Sequence, residues 1–334
     1  MSLHLHGLGH FHPENEISNR FLEELDIGTS EEWIVERVGI RSRRTTLPLD
    51  YIRETHNRDP RAAVEATLYS HAETGRRAAE MALARAGVDK RRVGLLVAGS
   101  SVMDTATPAE ACNVARALEL EVPCLDVNSA CTSFFANVWL LSMMDPARLP
   151  DFVLVVVPEA VTRSVDYRDR ASAVLWGDGA VAAVLSTRIR GRAEIVDSTL
   201  ASSPAGADKV VVPRTGHFRQ HGRAVQMFAI RKTCEQLARL RGAYRCEGRR
   251  FHFVGHQANL RMLEAVRREC AIPEDRHHAN VEWYGNTAGA AAPSVISMRW
   301  DDWRADDDVA VVGVGAGLTW SSYLLRFGGG APAS

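Results

Sequence analysis

The chain has 334 residues and a formal net charge of −1, with 46% hydrophobic and 24% charged residues. That near-neutral balance gives no electrostatic drive toward bulk nucleic acid or an anionic membrane surface, and the apolar content suits a buried globular core. No uncharged run approaches the ~20 residues that cross a bilayer, and Met1-Ser-Leu-His-Leu-His-Gly7 has no basic region ahead of an apolar stretch of signal-peptide length. The expectation is a soluble, cytoplasmic protein, with nucleic acid and membranes excluded as partners.

The length allows two ordinary domains or one large duplicated one. In chain order, strands are predicted at Val93–Ala98, Phe152–Val157, Ala180–Leu185, Phe251–Val254 and Val309–Val314. Each run is short, apolar and bounded by Gly, Pro, Asp or Ser. Helical patterns lie between them at Ala72–Ala86, Ala109–Leu118, Cys131–Met144, Val225–Leu240 and Leu260–Cys270. This alternation predicts an α/β architecture with largely buried strands. The polar stretch Leu47–Leu68 reads as a helical or loop excursion on the surface, and Arg239–Arg250 as a solvated loop. Gly328–Ser334 reads as a disordered tail, and no internal sequence repeat stands out.

None of the six cysteines forms a C-x-x-C pair, and five read as small hydrophobes in a reducing compartment. Cys131 differs. It follows Asp126-Val-Asn-Ser-Ala130, where an apolar strand ends in small polar residues, and it opens a helix too apolar for a surface. A cysteine at such an elbow meets the unpaired N–H groups and dipole of a helix N-terminus, which favour thiolate. His256 follows the strand Phe251–Val254 within Gly-His-Gln-Ala-Asn259, and Asn286 lies among small residues in Tyr284-Gly-Asn-Thr-Ala-Gly289. A thiol, an imidazole and a carboxamide are the parts of an acyl-transfer site. The glycine run Val311–Gly317 lies too near the C-terminus for a nucleotide-binding βαβ unit. It reads instead as a strand–loop–strand turn whose N–H could stabilise an oxyanion. His277, His278 and Cys270 lack the paired spacing of a zinc site.

As an ordered set, these motifs resemble β-ketoacyl-acyl-carrier-protein synthase III of the thiolase superfamily, from about Gly7 to Phe327. Thr29-Ser-Glu-Glu-Trp33 with Arg37-Val-Gly-Ile is similar to the family's N-terminal signature, Asp126–Cys131 to its nucleophile segment and Leu175–Leu185 to its Gly-Asp-Gly-Ala strand. His256–Asn259, Gly285–Thr287 and Gly315–Trp320 complete the order. The resemblance implies a thiolase-like five-layered αβαβα fold of two pseudo-symmetric halves, 1–186 with the nucleophile and 187–327 with His and Asn, assembled as a homodimer. It implies that Cys131 takes an acyl group from coenzyme A or acyl carrier protein. His256 and Asn286 would then stabilise the enolate of a malonyl or β-ketoacyl acceptor. The backbone N–H groups of Cys131 and Ala316 would form the oxyanion hole, and Asn259 would support His256. Coenzyme A would meet Thr29, Trp33, Arg37 and Arg170, while Trp176 would shape the acyl pocket and Arg261 contact the carrier protein. No metal or resident cofactor is implied, the thioesters being substrates.

Three departures carry expectations. Gly255 stands where the family has proline and would loosen or re-aim His256. Trp176 replaces a phenylalanine and would reshape the pocket. The Leu47–Leu68 insertion is similar to relatives in specialised lipid and polyketide pathways, including makers of dialkylresorcinol precursors. The rival readings are acyl transfer to a hydroxyl or amine, a papain-like Cys-His-Asn hydrolase and a silent dimer partner.

Overall fold

The computed structural model describes residues 3–244 and 248–328. Cys246 and nearly all of the glycine-rich tail, from residue 329 on, lie outside the described residues. Ten strands build the main sheet: β1 (Leu3–Phe11), β2 (Val93–Ala98), β3 (Cys124–Asp126), β4 (Phe152–Glu159), β5 (Gly179–Ser186), β6 (Ala193–Ser202), β7 (Arg250–Gly255), β8 (His277–His278), β9 (Asp307–Gly315) and β10 (Thr319–Phe327). Six helices accompany them: α1 (His71–Ala86), α2 (Glu110–Ala117), α3 (Ser133–Met143), α4 (Gly222–Ala243), α5 (Leu260–Glu269) and α6 (Ala291–Met298).

The chain therefore runs β-α-β-α-β-α-β-β twice. The sheet order is β3-β2-β4-β5-β1-β6-β10-β9-β7-β8, so adding five to each label of the first half generates the second. Pairing repeats as well. β2 lies parallel to β3 and β4, as β7 does to β8 and β9. The two return strands run antiparallel in each half. The halves meet where β1 and β6 pair antiparallel, Leu3 opposite Ile195 and Leu5 opposite Ala193. That is the arrangement a twofold relation between them requires.

Helices α1 and α2 cover the outer face of the first half, and α4 and α5 that of the second. Between the halves lie α3, against β4, β6 and β10, and α6, against β1, β5, β7 and β9. Five layers result, with α3 and α6 in the middle. A helix enclosed on both sides needs no polar face, which explains Phe134, Phe135, Ala136, Val138 and Leu141 on α3, all buried. Several strands are enclosed in the same way, with every residue of β4, β5 and β9 buried. No helix among the described residues is long and apolar enough to cross a membrane.

Two expectations need refinement. The Leu47–Leu68 stretch is helical and lies at the surface, with short helices at Leu49–Thr55 and Pro60–Ala66, but it is anchored from within. Leu47, Ile52, Asn57 and Ala63 are all 0% exposed. The Asn57 amide donates to the carbonyls of Arg163 and Val165, 2.8 Å each, and its own carbonyl accepts from His217, 2.7 Å away. At the base of the stretch, Thr46 donates from its backbone and hydroxyl to the buried Asp178 carboxylate. Its sequence looked polar because few apolar residues are needed when buried amides and carbonyls do the anchoring. The second concerns Arg239–Arg250. Helix α4 continues to Ala243, because Leu240 is buried and Arg239 forms a two-pronged ion pair with Asp197 on β6 at 2.7 and 2.8 Å.

Replacing Asn57 with Ala should strand two buried carbonyls and lower unfolding stability by about 2–4 kcal/mol. Glu54→Ala on the exposed side of the same stretch should change it by less than about 0.5 kcal/mol. Urea titration of the two variants checks the contrast.

Candidate active site

Both central helices begin with the same backbone device. Before α3, Asn128-Ser-Ala-Cys131 turns with Ala130 at φ +48°, and the Ala130 N–H donates to Asn128 Oδ1 at 2.8 Å. Before α6, Asn286-Thr-Ala-Gly289 turns with Ala288 at φ +46°, and the Ala288 N–H donates to Asn286 Oδ1 at 2.9 Å. A left-handed alanine costs on the order of 1–2 kcal/mol, so each elbow is held by its surroundings rather than chosen by its residues. The first presents Cys131 in a 3₁₀ turn ahead of the helix. The second, with its oxygen engaged, leaves the Asn286 amide nitrogen for the cavity that Asn286 lines.

That cavity, about 770 Å³, is lined by Cys131, His256, Asn286 and Ala316 together with Trp33, Arg37, Arg170 and Arg223. It thus brings together side chains from both halves of the chain. The N–H groups of Cys131 and Ala316 lie near enough to the Cys131 sulfur to favour its ionised form, two donors of the kind that can stabilise a developing oxyanion. Thr132 and Thr319 bind each other through their hydroxyls at 2.8 Å and lock the glycine loop over the nucleophile elbow.

The thiolate expectation fails for the resting protein. Burial pushes the Cys131 thiol up to about 12, and the Glu159 carboxylate pushes the same way. The helix-end N–H groups oppose this without prevailing, because the sulfur is enclosed rather than set at an open helix end. Burial also pushes His256 down to about 4, so its ring is neutral at physiological pH. A neutral imidazole can donate one hydrogen bond without carrying charge.

Gly255 does not loosen His256. A Cβ there would lie 2.6 Å from Leu263 Cδ2 and 2.7 Å from the Phe253 ring. The strand exit is fixed by the His256 N–H to Val312 O, 2.8 Å, and by Gln257 Nε2 to Gly255 O, 2.6 Å. Asn259 lines the cavity, but its side-chain oxygen caps α5 by accepting from Met262 N at 2.8 Å. No hydrogen bond joins it to His256 among the described residues. Trp176 is buried edge-on to Phe218, centroids 4.6 Å apart, and its Nε1 has no partner among the described residues. The Arg170 guanidinium lies 4.9 Å over the Trp33 ring and donates to Gly28 O. Arg37 lines the same opening, whereas the buried Thr29 hydroxyl does not line the cavity and lacks a partner among the described residues. Arg261 donates to the carbonyls of Val35 and Glu36 at 2.9 and 3.1 Å, tying α5 to helix Glu31–Val38.

Sequence reasoning missed Arg223, one more arginine in a chain where only three of 40 basic residues are lysines. It also missed Glu159, Ser101 and the echo between the two elbows. A comparison of Asn-Ser-Ala-Cys with Asn-Thr-Ala-Gly, each just ahead of an apolar helix, would have found the last.

A two-half α/β fold that brings a cysteine, two backbone N–H donors and an imidazole–amide pair to one cavity suits a carbon–carbon condensing acyltransferase. The match described as 3-Oxoacyl-[acyl-carrier-protein (ACP)] synthase III covers residues 125–204, and its C-terminal counterpart covers residues 251–327. A β-ketoacyl-[acyl-carrier-protein] synthase III from Oceanobacillus iheyensis is 30% identical over 98% of this chain and 100% of its own length. Among solved structures, the 3-oxoacyl-(acyl carrier protein) synthase III of Pseudomonas aeruginosa superposes with a TM-score of 0.84 at 29% identity, covering 99% of this chain and 100% of that one. The priming β-ketosynthase of the R1128 polyketide pathway gives 0.80 at 25% identity, covering 99% and 97%. The chain belongs to the β-ketoacyl-acyl-carrier-protein synthase III family.

The depressed His256 has a stability consequence. A histidine whose folded value lies below its unfolded one penalises the native state as pH falls below about 6.5, until the native ring also protonates near 4. Urea midpoints should therefore climb between pH 4 and 6.5. His256→Gln should remove up to about 3 kcal/mol of that climb.

Proposed function

We propose that this enzyme transfers an acyl group from an acyl-CoA or acyl-carrier-protein thioester to Cys131. It then joins that group to a malonyl- or β-ketoacyl-carrier-protein through a new carbon–carbon bond. One observation carries the reading: thiol, neutral imidazole and side-chain amide, drawn from the two halves, line a single cavity. Loading occurs as Cys131 attacks the thioester carbonyl, whose oxygen takes up charge beside the Cys131 and Ala316 N–H groups. The second substrate's thioester oxygen is then held by the His256 ring and the Asn286 amide. Both are neutral donors suited to an enolate formed by loss of carbon dioxide or of an α-proton. The order Cys131, His256, Asn286 serves this chemistry better than transfer to a hydroxyl or amine, which needs a base and no enolate site.

In this reading the halves 1–186 and 187–327 act as one catalytic unit within a homodimer. The adenine of coenzyme A enters between the Trp33 ring and the Arg170 guanidinium, which face each other in the free protein. Arg37 and Arg223 beside the same opening are placed for its phosphates. Thr29 and Asn259 contribute as supports of the walls, and Arg261 chiefly by holding helix Glu31–Val38 in place, with its partly exposed guanidinium edge left for a carrier protein. Trp176 and Phe218 narrow the acyl channel. A place in specialised lipid or polyketide synthesis is favoured by the anchored 47–68 stretch, whose Ile52 and Ala63 belong to the same core cluster as Trp176 and Phe218.

Incubation with a panel of acyl-CoA thioesters should add one acyl mass to the intact protein. Cys131→Ala should lose the adduct entirely, and an adduct persisting in that variant would move the nucleophile elsewhere. Asn286→Ala should load normally but slow condensation at least 100-fold, an effect of the size seen for single donors to a developing oxyanion. Trp33→Ala should raise the KM for coenzyme A donors about tenfold while leaving carrier-protein donors within twofold. An equal effect on both donor classes would remove Trp33 from coenzyme A recognition.

A further inference from the structure

Two aromatic rings on the cavity wall, Trp176 and Phe218, meet edge to face with centroids 4.6 Å apart, and they are held in very different ways. Trp176 is tied to the catalytic amide, because its backbone pairs with Asn286. The Asn286 N–H donates to Leu175 O at 2.8 Å, and the Gly177 N–H donates to Asn286 O at 3.1 Å. Phe218 belongs to a short hairpin in which Val210 and Val211 pair with Gln220 and Arg219. Strands of two residues give such a hairpin little stability of its own. Through Val210, Phe218 and Gln220 it lines the active-site cavity. Through Val212, Pro213 and Gly216 it lines a second cavity of about 300 Å³, together with Pro60 and Val64 of the 47–68 stretch. The hairpin therefore borders open space twice, and a few hydrogen bonds set where it lies.

Those bonds converge on Asn57. His217 Nε2 donates to Asn57 O at 2.7 Å, and the N–H of the next residue, Phe218, donates to Ser164 O at 2.8 Å. Ser164 lies between Arg163 and Val165, whose carbonyls accept from the Asn57 amide. The other polar atoms of Asn57 are engaged as well. Its N–H donates to the Thr55 hydroxyl at 3.0 Å, and its side-chain oxygen accepts from the Tyr51 hydroxyl at 3.2 Å. His56 and Asn57 both have positive φ, +52° and +49°. Two successive left-handed residues without glycine persist only where surrounding contacts hold them.

We propose that the His217–Asn57 hydrogen bond is a latch that sets the largest acyl group the site accepts. The proposal rests on the reading in which Cys131 carries the acyl group and Trp176 and Phe218 narrow its channel. With the bond made, Phe218 is held against Trp176 and the channel fits a short or slender chain. With it broken, the hairpin has the second cavity to retreat into. The indole does not follow, since shifting Trp176 would displace the Asn286 backbone with which it pairs. Neither Asn57 nor His217 lines the active-site cavity, so both are positioning residues that act through Phe218.

The test compares rates of Cys131 loading, read by intact mass, for butyryl- and dodecanoyl-CoA. His217→Leu removes the donor. It should raise the dodecanoyl-to-butyryl ratio about tenfold while butyryl loading stays within about threefold of wild type, the discrimination a few methylenes meet in a closed apolar pocket. His217→Gln keeps an N–H at similar reach and should keep the wild-type ratio. Phe218→Ala shortens the wall directly and should raise the ratio as His217→Leu does. An equal loss for both donors in His217→Leu would mark the bond as merely structural and overturn the latch, as would an unchanged ratio. A ratio raised by Phe218→Ala alone would also overturn it, leaving selection in the wall and not in the bond. The His217 side chain is 20% exposed and its removal leaves the Asn57 amide bonds in place, so the variant avoids the stability loss expected of Asn57→Ala. Should the wild type load neither donor, butyl and dodecyl methanethiosulfonates, which transfer an S-alkyl group to a thiol, give the same comparison by Cys131 peptide mass. A raised dodecyl-to-butyl ratio in His217→Leu would then keep the latch and reject the coenzyme A donors, whereas an unchanged one would overturn the latch as well.

Discussion

The site depends on enclosing two helices between two half-sheets. Once α3 and α6 lie in the middle layer, each touching strands of both halves, the twofold relation brings their N-terminal elbows toward one another. The residues just before each helix must then share a small buried space. The left-handed alanines, the paired asparagine turns and the glycine opposite the nucleophile all follow from that confinement. Where the first elbow carries Cys131, the second carries Gly289, because Glu159 and Ala130 already occupy the volume a side chain would need. The repeated topology supplies the geometry, and the two elbows differ within it.

Confinement also sets the electrostatics. An open helix end would favour a thiolate, but an enclosed sulfur loses more hydration than two N–H groups return. His256 loses its charge for the same reason. The resting site is therefore a set of neutral or near-neutral groups, and charge arises only when a substrate supplies the carbonyl that shares it. Donors fixed in place before reaction need no reorganisation when that charge develops.

Much of this was legible in the sequence, and the rest was hidden for identifiable reasons. The central strands β2, β4, β5, β7 and β9 announce themselves because each carries a run of apolar residues buried on both faces, with most of the polar residues confined to the ends. Strands β1 and β6 do not, the first carrying His4, His6 and His10 and the second alternating with Glu194, Asp197 and Ser198. Their identity comes from pairing across the join between halves, which no local window contains. Cys131, His256 and Asn286 stand out because each follows an apolar strand or opens an apolar helix. Glu159 gave no such signal. It reads as the polar end of a strand, and only the fold brings Ser101 and Gly289 from distant segments to its carboxylate.

The 47–68 stretch and Trp176 are best understood together. A bulky indole whose Nε1 has no partner among the described residues packs against Phe218 at the cavity wall. Behind that wall Asn57 accepts a bond from His217, the residue beside Phe218. The stretch therefore sets the position of the segment bearing Phe218 through buried hydrogen bonds rather than by entering the cavity itself. A wall fixed from behind in this way can change the width of an acyl channel without altering any catalytic residue.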